Sequence, residues 1–276
     1  MQFIQAADRV RYRSMSSDDL RSSFVVSGLF APGESVLFHT EVDRGIVGSV
    51  VPLDRPLGLP VHKEMAASYF AQRREVGVVN VGGAGTVCVN GRSYAMRDRD
   101  SLYIGCGNED VSFSSEDPRT PAQFYLLSFP AHARYSVKLV PKAMARAIPS
   151  GDNEHANRRV IYQSICPDVV ETCQLVMGFT ELAQGSVWNT MPPHTHYRRS
   201  EIYAYFGLAD HARVFHFMGE PNDVRALVLR NGEAVISPSW SIHAGAGTTS
   251  YFFIWGMGGE NRQFDDIDGL SAGDLR

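Results

Sequence analysis

The segment Pro192-Pro193-His194-Thr195-His196-Tyr197-Arg198-Arg199-Ser200-Glu201 holds the densest set of chemically capable side chains in the 276-residue chain. His194 and His196 stand two apart, so on an extended backbone both imidazoles point to one face. Neutral imidazole is the commonest metal ligand, and two on one face supply half of a four-coordinate site. Glu201 follows His196 by five residues, the wrong parity for one straight strand. A turn or bulge over Tyr197 to Ser200 would bring its carboxylate back to that face. A third imidazole comes from Gly232-Glu233-Ala234-Val235-Ile236-Ser237-Pro238-Ser239-Trp240-Ser241-Ile242-His243, just past a proline-containing turn. The bland reading makes His194 and His196 surface loop residues beside two arginines. Glu201 and the spaced Gly-Pro-His tip the balance towards one metal site built from His194, His196, Glu201 and His243. His216, inside Val214-Phe215-His216-Phe217, reads as a core histidine, and His39, His62, His132, His155 and His211 show no ligand spacing.

Strands must position these groups, because convincing helices are scarce. The 25 glycines and 14 prolines are scattered along the chain, which suits many short strands joined by tight turns. Short helices are predicted at Ser16–Arg21 and Pro141–Arg146. Strand signals dominate elsewhere, at Val76–Val81, Thr86–Val89, Phe124–Leu127 and Tyr251–Trp255, and Asn90-Gly91 predicts a two-residue hairpin turn. The class is mainly β. Arg73–Val79 aligns with Arg199–Tyr205, Met96–Ile104 with Leu229–Ser237, and aromatic-rich strands at Phe124–Phe129 and Tyr251–Trp255 close both halves. This order predicts two similar β-domains, 1–150 and 151–276, with the alternative of one large β-sandwich. If Glu75 corresponds to Glu201, then Ser68 and Phe70 stand where the other half has His194 and His196, and Asp110 falls near the place of His243. The first domain is therefore expected to have lost its metal site and to serve packing, assembly or pocket completion.

Composition narrows the partners. With 26 basic against 30 acidic residues and a net charge of −4, no basic excess exists to neutralise nucleic-acid phosphates. No run approaches the roughly 18 apolar residues that span a membrane. Residues Met1 to Met15 carry Asp8, Arg9, Arg11 and Arg13 instead of the apolar core of a signal peptide. Cys88, Cys106, Cys166 and Cys173 are too irregularly spaced for a disulfide framework or a Cys-x-x-Cys metal site. A reduced, cytoplasmic, globular protein is expected.

The two ligand stretches resemble the paired motifs of the cupin superfamily, His-x-His-x₄-Glu and Gly-x₅-Pro-x₄-His. The likeness extends to Asn80–Gly85, Leu175–Leu182, Trp188–Pro192, Ile236–His243 and Phe253–Met257, and runs through Phe264-Asp265-Asp266 to Arg276. In these stretches the chain resembles the 5-dehydro-4-deoxy-D-glucuronate isomerase family. The resemblance implies a bicupin of two jelly-roll-like β-barrels, with zinc or another divalent metal on His194, His196, Glu201 and His243, one ion per chain. It also implies a small anionic uronate substrate from pectin breakdown and a homo-oligomer, expected to be a hexamer.

The implied reaction moves a carbonyl from an aldehyde carbon to its hydroxyl-bearing neighbour through an enediolate, which a Lewis-acidic ion stabilises. A base must carry the carbon-bound proton between the two carbons. Glu75, Glu181, Tyr203 and His216 are the candidates. A substrate carboxylate calls for a guanidinium, whose planar fork matches it with paired hydrogen bonds. Arg198 and Arg199 stand first, then Arg158 and Arg159, and strand alternation lets only one of each pair face a pocket. Two other functions fit parts of the pattern. The same ligands can hold iron for dioxygen chemistry, and a non-catalytic sugar-binding bicupin is the remaining alternative.

Overall fold

In the computed structural model, which describes residues 1–276, the chain lays down two pairs of β-sheets, each with one seven-stranded and one four-stranded member. Apolar runs such as Val76–Val79 arise because strands of the seven-stranded sheets are buried on both faces. Val76 and Val78 pack with Val87 and Phe113 inside the first pair. Val79, one residue out of phase, joins Leu127, Met177 and Ile202 in a cluster between the two seven-stranded sheets. A third cluster, including Tyr203, Tyr205, Val214 and Trp255, fills the second pair. The result is four stacked layers with three apolar fillings.

The two halves repeat one topology. In the first, Phe124–Pro130 lies between Ile46–Val50 and Arg74–Asn80, and Ser101–Ile104 follows. In the second, Phe252–Gly259 lies between Val176–Leu182 and Arg199–Phe206, and Ala234–Ser237 follows. Some segments cross between the halves. Val25–Val26 pairs with Ala234–Ser237, and the preceding helices insert Tyr12, Leu20 and Phe24 into the core of the second pair. The helix Ser17–Phe24 starts where the sequence predicts, because Ser16 and Asp19 form a capping box. The hairpin Gly85–Val89/Arg92–Met96 turns on Asn90 and Gly91, both at positive φ. The helix expected at Pro141–Arg146 is a single 3₁₀ turn, Lys142–Met144, because the ladder with Arg159–Ile165 takes up Arg146–Ser150 as a strand.

Register corrects one alignment. Ser237, the last residue of its strand, pairs with Glu201, and Ile104, last of the matching strand, pairs with Val76. Val76 is therefore the counterpart of Glu201, and Glu75 faces the opposite side, since a one-residue shift inverts every side chain. Counting back from Val76 gives Tyr69 and Ala71, so this register too supplies no ligand pair. Fully buried, the Glu75 carboxylate accepts hydrogen bonds from the N–H groups of Cys173, Gln174 and Leu175 at 2.7–2.8 Å and from the Tyr103 hydroxyl at 2.8 Å. It ties the two sheet pairs together. Glu75→Ala should strand these donors in a dry interface and cost about 3–5 kcal/mol, measured as a lower denaturant midpoint. A midpoint equal to that of the parent would show that water replaces the carboxylate.

Candidate metal centre

Three short pieces of backbone bring the ligands together. His194 and Thr195 pair with Asp268–Gly269 as a small ribbon. The chain then reverses at Tyr197-Arg198, where the Arg199 N–H donates to the His196 carbonyl at 3.1 Å, and enters the strand Arg199–Phe206. That turn returns Glu201 to the face of the imidazoles. His243 follows a turn closed by the Ser241 N–H on the Pro238 carbonyl and lies on the strand Ile242–Gly247 of the opposite sheet.

His194, His196, Glu201 and His243 offer ligand atoms that all lie within 4.8 Å of one another, and no other such group exists in the chain. Glu201 Oε2 is 3.0 Å from His196 Nε2 and 2.8 Å from His243 Nε2, which is 3.0 Å from His194 Nε2. His196 Nδ1 lies 3.0 Å from the Arg199 carbonyl oxygen, so it carries a proton there and turns Nε2 towards Glu201. A buried carboxylate and an imidazole nitrogen at that distance share a cation, which is a proton in the free chain and can be replaced by a metal ion. Burial raises the carboxyl pKa of Glu201, but the charge and hydrogen bonds of His243 and His196 outweigh it and keep the group ionised. Burial, then the charge of His243, push His194 down to about 3, so it is a neutral imidazole. An ionised carboxylate with neutral imidazole is the donor set a divalent metal requires. Elemental analysis of protein purified with a divalent metal should give about one ion per chain. Two would reveal a second site, and none would remove metal from the chemistry.

Beside the cluster lies a cavity of ≈ 320 Å³, lined by His194, Glu201, Tyr203, Thr190, Arg159 and an apolar wall that includes Phe253, Trp255 and Phe264. Tyr203 is buried and its hydroxyl is 2.9 Å from Thr190 Oγ1. Burial, then the negative charge of Glu201, hold the phenol protonated far above its ordinary pKa, so it serves as a hydrogen-bond donor. His216 lies outside the cavity lining, buried, with Nδ1 2.8 Å from the Tyr205 hydroxyl. It is a core histidine. Glu181 forms ion pairs with Arg99 and Lys142 at 2.5 and 2.6 Å and is also outside the lining, as is Glu75.

The four candidate arginines separate cleanly. Arg198 donates to Asp266 at 2.7 and 3.1 Å and to Asp268 at 2.9 Å. Buried Arg199 donates to the carbonyls of Gln263 and Asp266. Both fasten the segment 260–269 across the cavity, and neither lines it. Arg158 is exposed. Arg159, the first residue of the strand Arg159–Ile165, lines the cavity and donates to the Asn157 carbonyl at 2.8 Å. Burial disfavours its charge and lowers its pKa, and no carboxylate side chain forms an ion pair with it. Sequence reasoning missed Thr180, Asp265 and the aromatic wall. Alternation along Phe253-Ile254-Trp255 carried the signal for the wall, since Phe253 and Trp255 share the face of Tyr203.

Three comparisons bear on this arrangement. The model of the KduI/IolB family matches residues 55–269. A 4-deoxy-L-threo-5-hexosulose-uronate ketol-isomerase of Lachnoclostridium phytofermentans is 47% identical over 276 residues, all of both chains. The protein of the same name from Escherichia coli O139:H28 is 47% identical over 274 residues, 99% of each chain. Among solved structures, an IolB-like protein from Salmonella typhimurium LT2 superposes with a TM-score of 0.68 at 13% identity, covering 91% of this chain and 98% of its own, a likeness of cupin-like fold.

Proposed function

The chain belongs to the KduI/IolB family, and on that premise we propose that it is a metal-dependent ketol-isomerase converting 5-dehydro-4-deoxy-D-glucuronate to 3-deoxy-D-glycero-2,5-hexodiulosonate in pectin and uronate breakdown. The convergence of three imidazoles and one carboxylate on the wall of a cavity that also presents an unpaired arginine carries this reading. The name shared by relatives 47% identical over the full length supports the substrate. When bound, a divalent ion such as zinc supplies Lewis acidity to the carbonyl and its neighbouring hydroxyl.

The protein's own groups do the rest. Arg159 takes the substrate carboxylate with its fork and fixes which end of the sugar meets the ligands. Tyr203 and Thr190 donate hydrogen bonds to sugar oxygens, and the apolar wall with Phe264 excludes water. Asp265 is the one cavity carboxylate outside the ligand cluster, and it forms no ion pair. It takes the proton from the hydroxyl-bearing carbon and returns it to the former aldehyde carbon, while the hydroxyl proton passes to the new alcohol oxygen. Atoms and electrons balance without an oxidant. The two sheet pairs support two cupin-type domains, 1–150 and 151–276, although Val25–Val26 and Arg146–Ser150 join the second sheet. The first is free of metal, and the assembly is a cytoplasmic homo-oligomer, a hexamer by family resemblance. No helix is long and apolar enough to cross a membrane.

The test mixes metal-loaded protein with the unsaturated-uronate breakdown product, without oxygen or nicotinamide, and follows the carbonyl by NMR. Conversion with deuterium entering the aldehyde-derived carbon in heavy water is expected. Failure to convert by protein that retains its metal, with turnover restored by oxygen, would replace the isomerase with an iron-dependent dioxygenase. No turnover in either case would leave a sugar-binding bicupin.

A further inference from the structure

The first sheet pair has a mouth of its own. Arg74 opens the strand that corresponds to Arg199–Phe206, and it shares a face with Val76 and Val78, whose side chains enter the core of that pair. Arg74 lines a cavity of ≈ 280 Å³ together with His39, Arg44 and Arg73, over a floor that includes Ile46 and Phe70. Where the second mouth gathers metal ligands, this one gathers cations.

Their charges go unanswered. Arg44, Arg73 and Arg74 form no ion pair, and Glu64, an exposed residue, is the single carboxylate of the lining. Arg74 Nε donates to Ser128 Oγ at 3.1 Å, and Nη2 donates to the carbonyls of Arg44 and Ser128 at 2.6 and 2.8 Å. Those bonds fix the plane of the guanidinium and leave Nη1 without a partner in the chain. Burial, then the charge of Arg44, lower Arg74 to about 10, a measure of how far this cation stands from its preferred surroundings. Arg44 itself sits on a turn in which Asp43 and Arg44 have φ of 47° and 50°, a strained conformation for two successive non-glycine residues.

We propose that this mouth is a second ligand site, distinct from the metal centre, which binds a small organic oxyanion of sugar size, a carboxylate or a phosphate ester. The oxyanion pairs with the free edge of Arg74 and with Arg44 and Arg73, and its carbon body lies on Ile46 and Phe70. A planar fork held by its other bonds is pre-organised for such an anion. The carboxylate and the phosphate ester share this recognition chemistry, and the affinities of two probes separate them.

Calorimetric titration of the metal-loaded chain with inorganic phosphate, D-glucuronate and D-glucose tests the proposal. At least one anion should bind, and the neutral sugar should not. Glucuronate binding more tightly identifies a sugar acid, and phosphate binding more tightly a phosphate ester. Arg74→Met should weaken that binding about tenfold, the loss of one charge-assisted contact. Arg44→Ala removes a guanidinium that makes no hydrogen bond, so it keeps the test alive if Arg74→Met does not fold. It should weaken binding at least about threefold while isomerase kcat/KM stays within about twofold. The proposal fails if neither anion binds, if D-glucose binds equally, or if Arg44→Ala and a folded Arg74→Met bind as the parent does. Because the readout is the part of the binding that Arg74→Met and Arg44→Ala weaken, and neither residue lines the metal cavity where D-glucuronate also binds, its failure leaves the isomerase assignment untouched.

Discussion

His243→Ala should reduce bound metal to less than about a tenth of an ion per chain and lower kcat/KM by about a thousandfold or more. His243 comes from the sheet opposite Glu201 and closes the cluster, with Nε2 2.8 Å from Glu201 Oε2 and 3.0 Å from His194 Nε2. Without it, the ribbon and turn that carry His194, His196 and Glu201 supply ligands from one side only, and solvent enters the space on the other. The fold should persist, because the three apolar fillings are independent of the ion. Truncation of the buried ring should cost about 1–3 kcal/mol. Metal analysis, near-ultraviolet circular dichroism and kinetics on one sample separate the outcomes. Loss of tertiary signal together with the metal would make the ion structural, and full activity without metal would end the Lewis-acid reading.

The legibility of the site followed the range of the interactions involved. His194, His196 and Glu201 were readable because their convergence depends on local rules, side-chain parity and one turn at Tyr197-Arg198, whereas His243, from the opposite sheet, was readable through the spaced Gly-Pro-His motif. The repeat was readable as an order of strands, yet the pairing of Glu75 with Glu201 failed by one residue. Sequence similarity fixes which strands correspond more firmly than their register, and one step inverts the face. The helix expected over Pro141–Arg146 yielded to a ladder with a strand 13 residues further on, at Arg159. The arginines show the limit most directly. Arg198 and Arg199 looked poised because they adjoin the ligands, but Asp266, Asp268 and the carbonyl of Gln263 engage them from a segment more than 60 residues away. Proximity along the chain says nothing about which charges are already paired. Only one of the Arg158–Arg159 pair faces the cavity, as expected, with the strand opening at Arg159 and Arg158 left exposed just before it.

Arg159→Lys should raise KM and lower kcat/KM by about fiftyfold, with kcat changed much less. The ammonium keeps the charge but loses the two parallel donors that orient a carboxylate, and its shorter reach leaves water between the partners. Arg159→Gln should fall about tenfold further, because the desolvated carboxylate then has no countercharge. Arg158→Ala, at the exposed residue just before the same strand, should stay within about twofold, which controls for disturbance of the strand's entry. A structural role for Arg159 through its bond to the Asn157 carbonyl would lower the unfolding temperature and leave the ratio of kcat to KM unchanged. Carboxylate recognition shifts that ratio and weakens competitive inhibition by D-glucuronate in parallel. If Arg159→Lys keeps the parent KM while Arg198→Lys or Arg199→Lys raises it, the strap of residues 260–269 opens in solution and the carboxylate is held at the ligand turn instead.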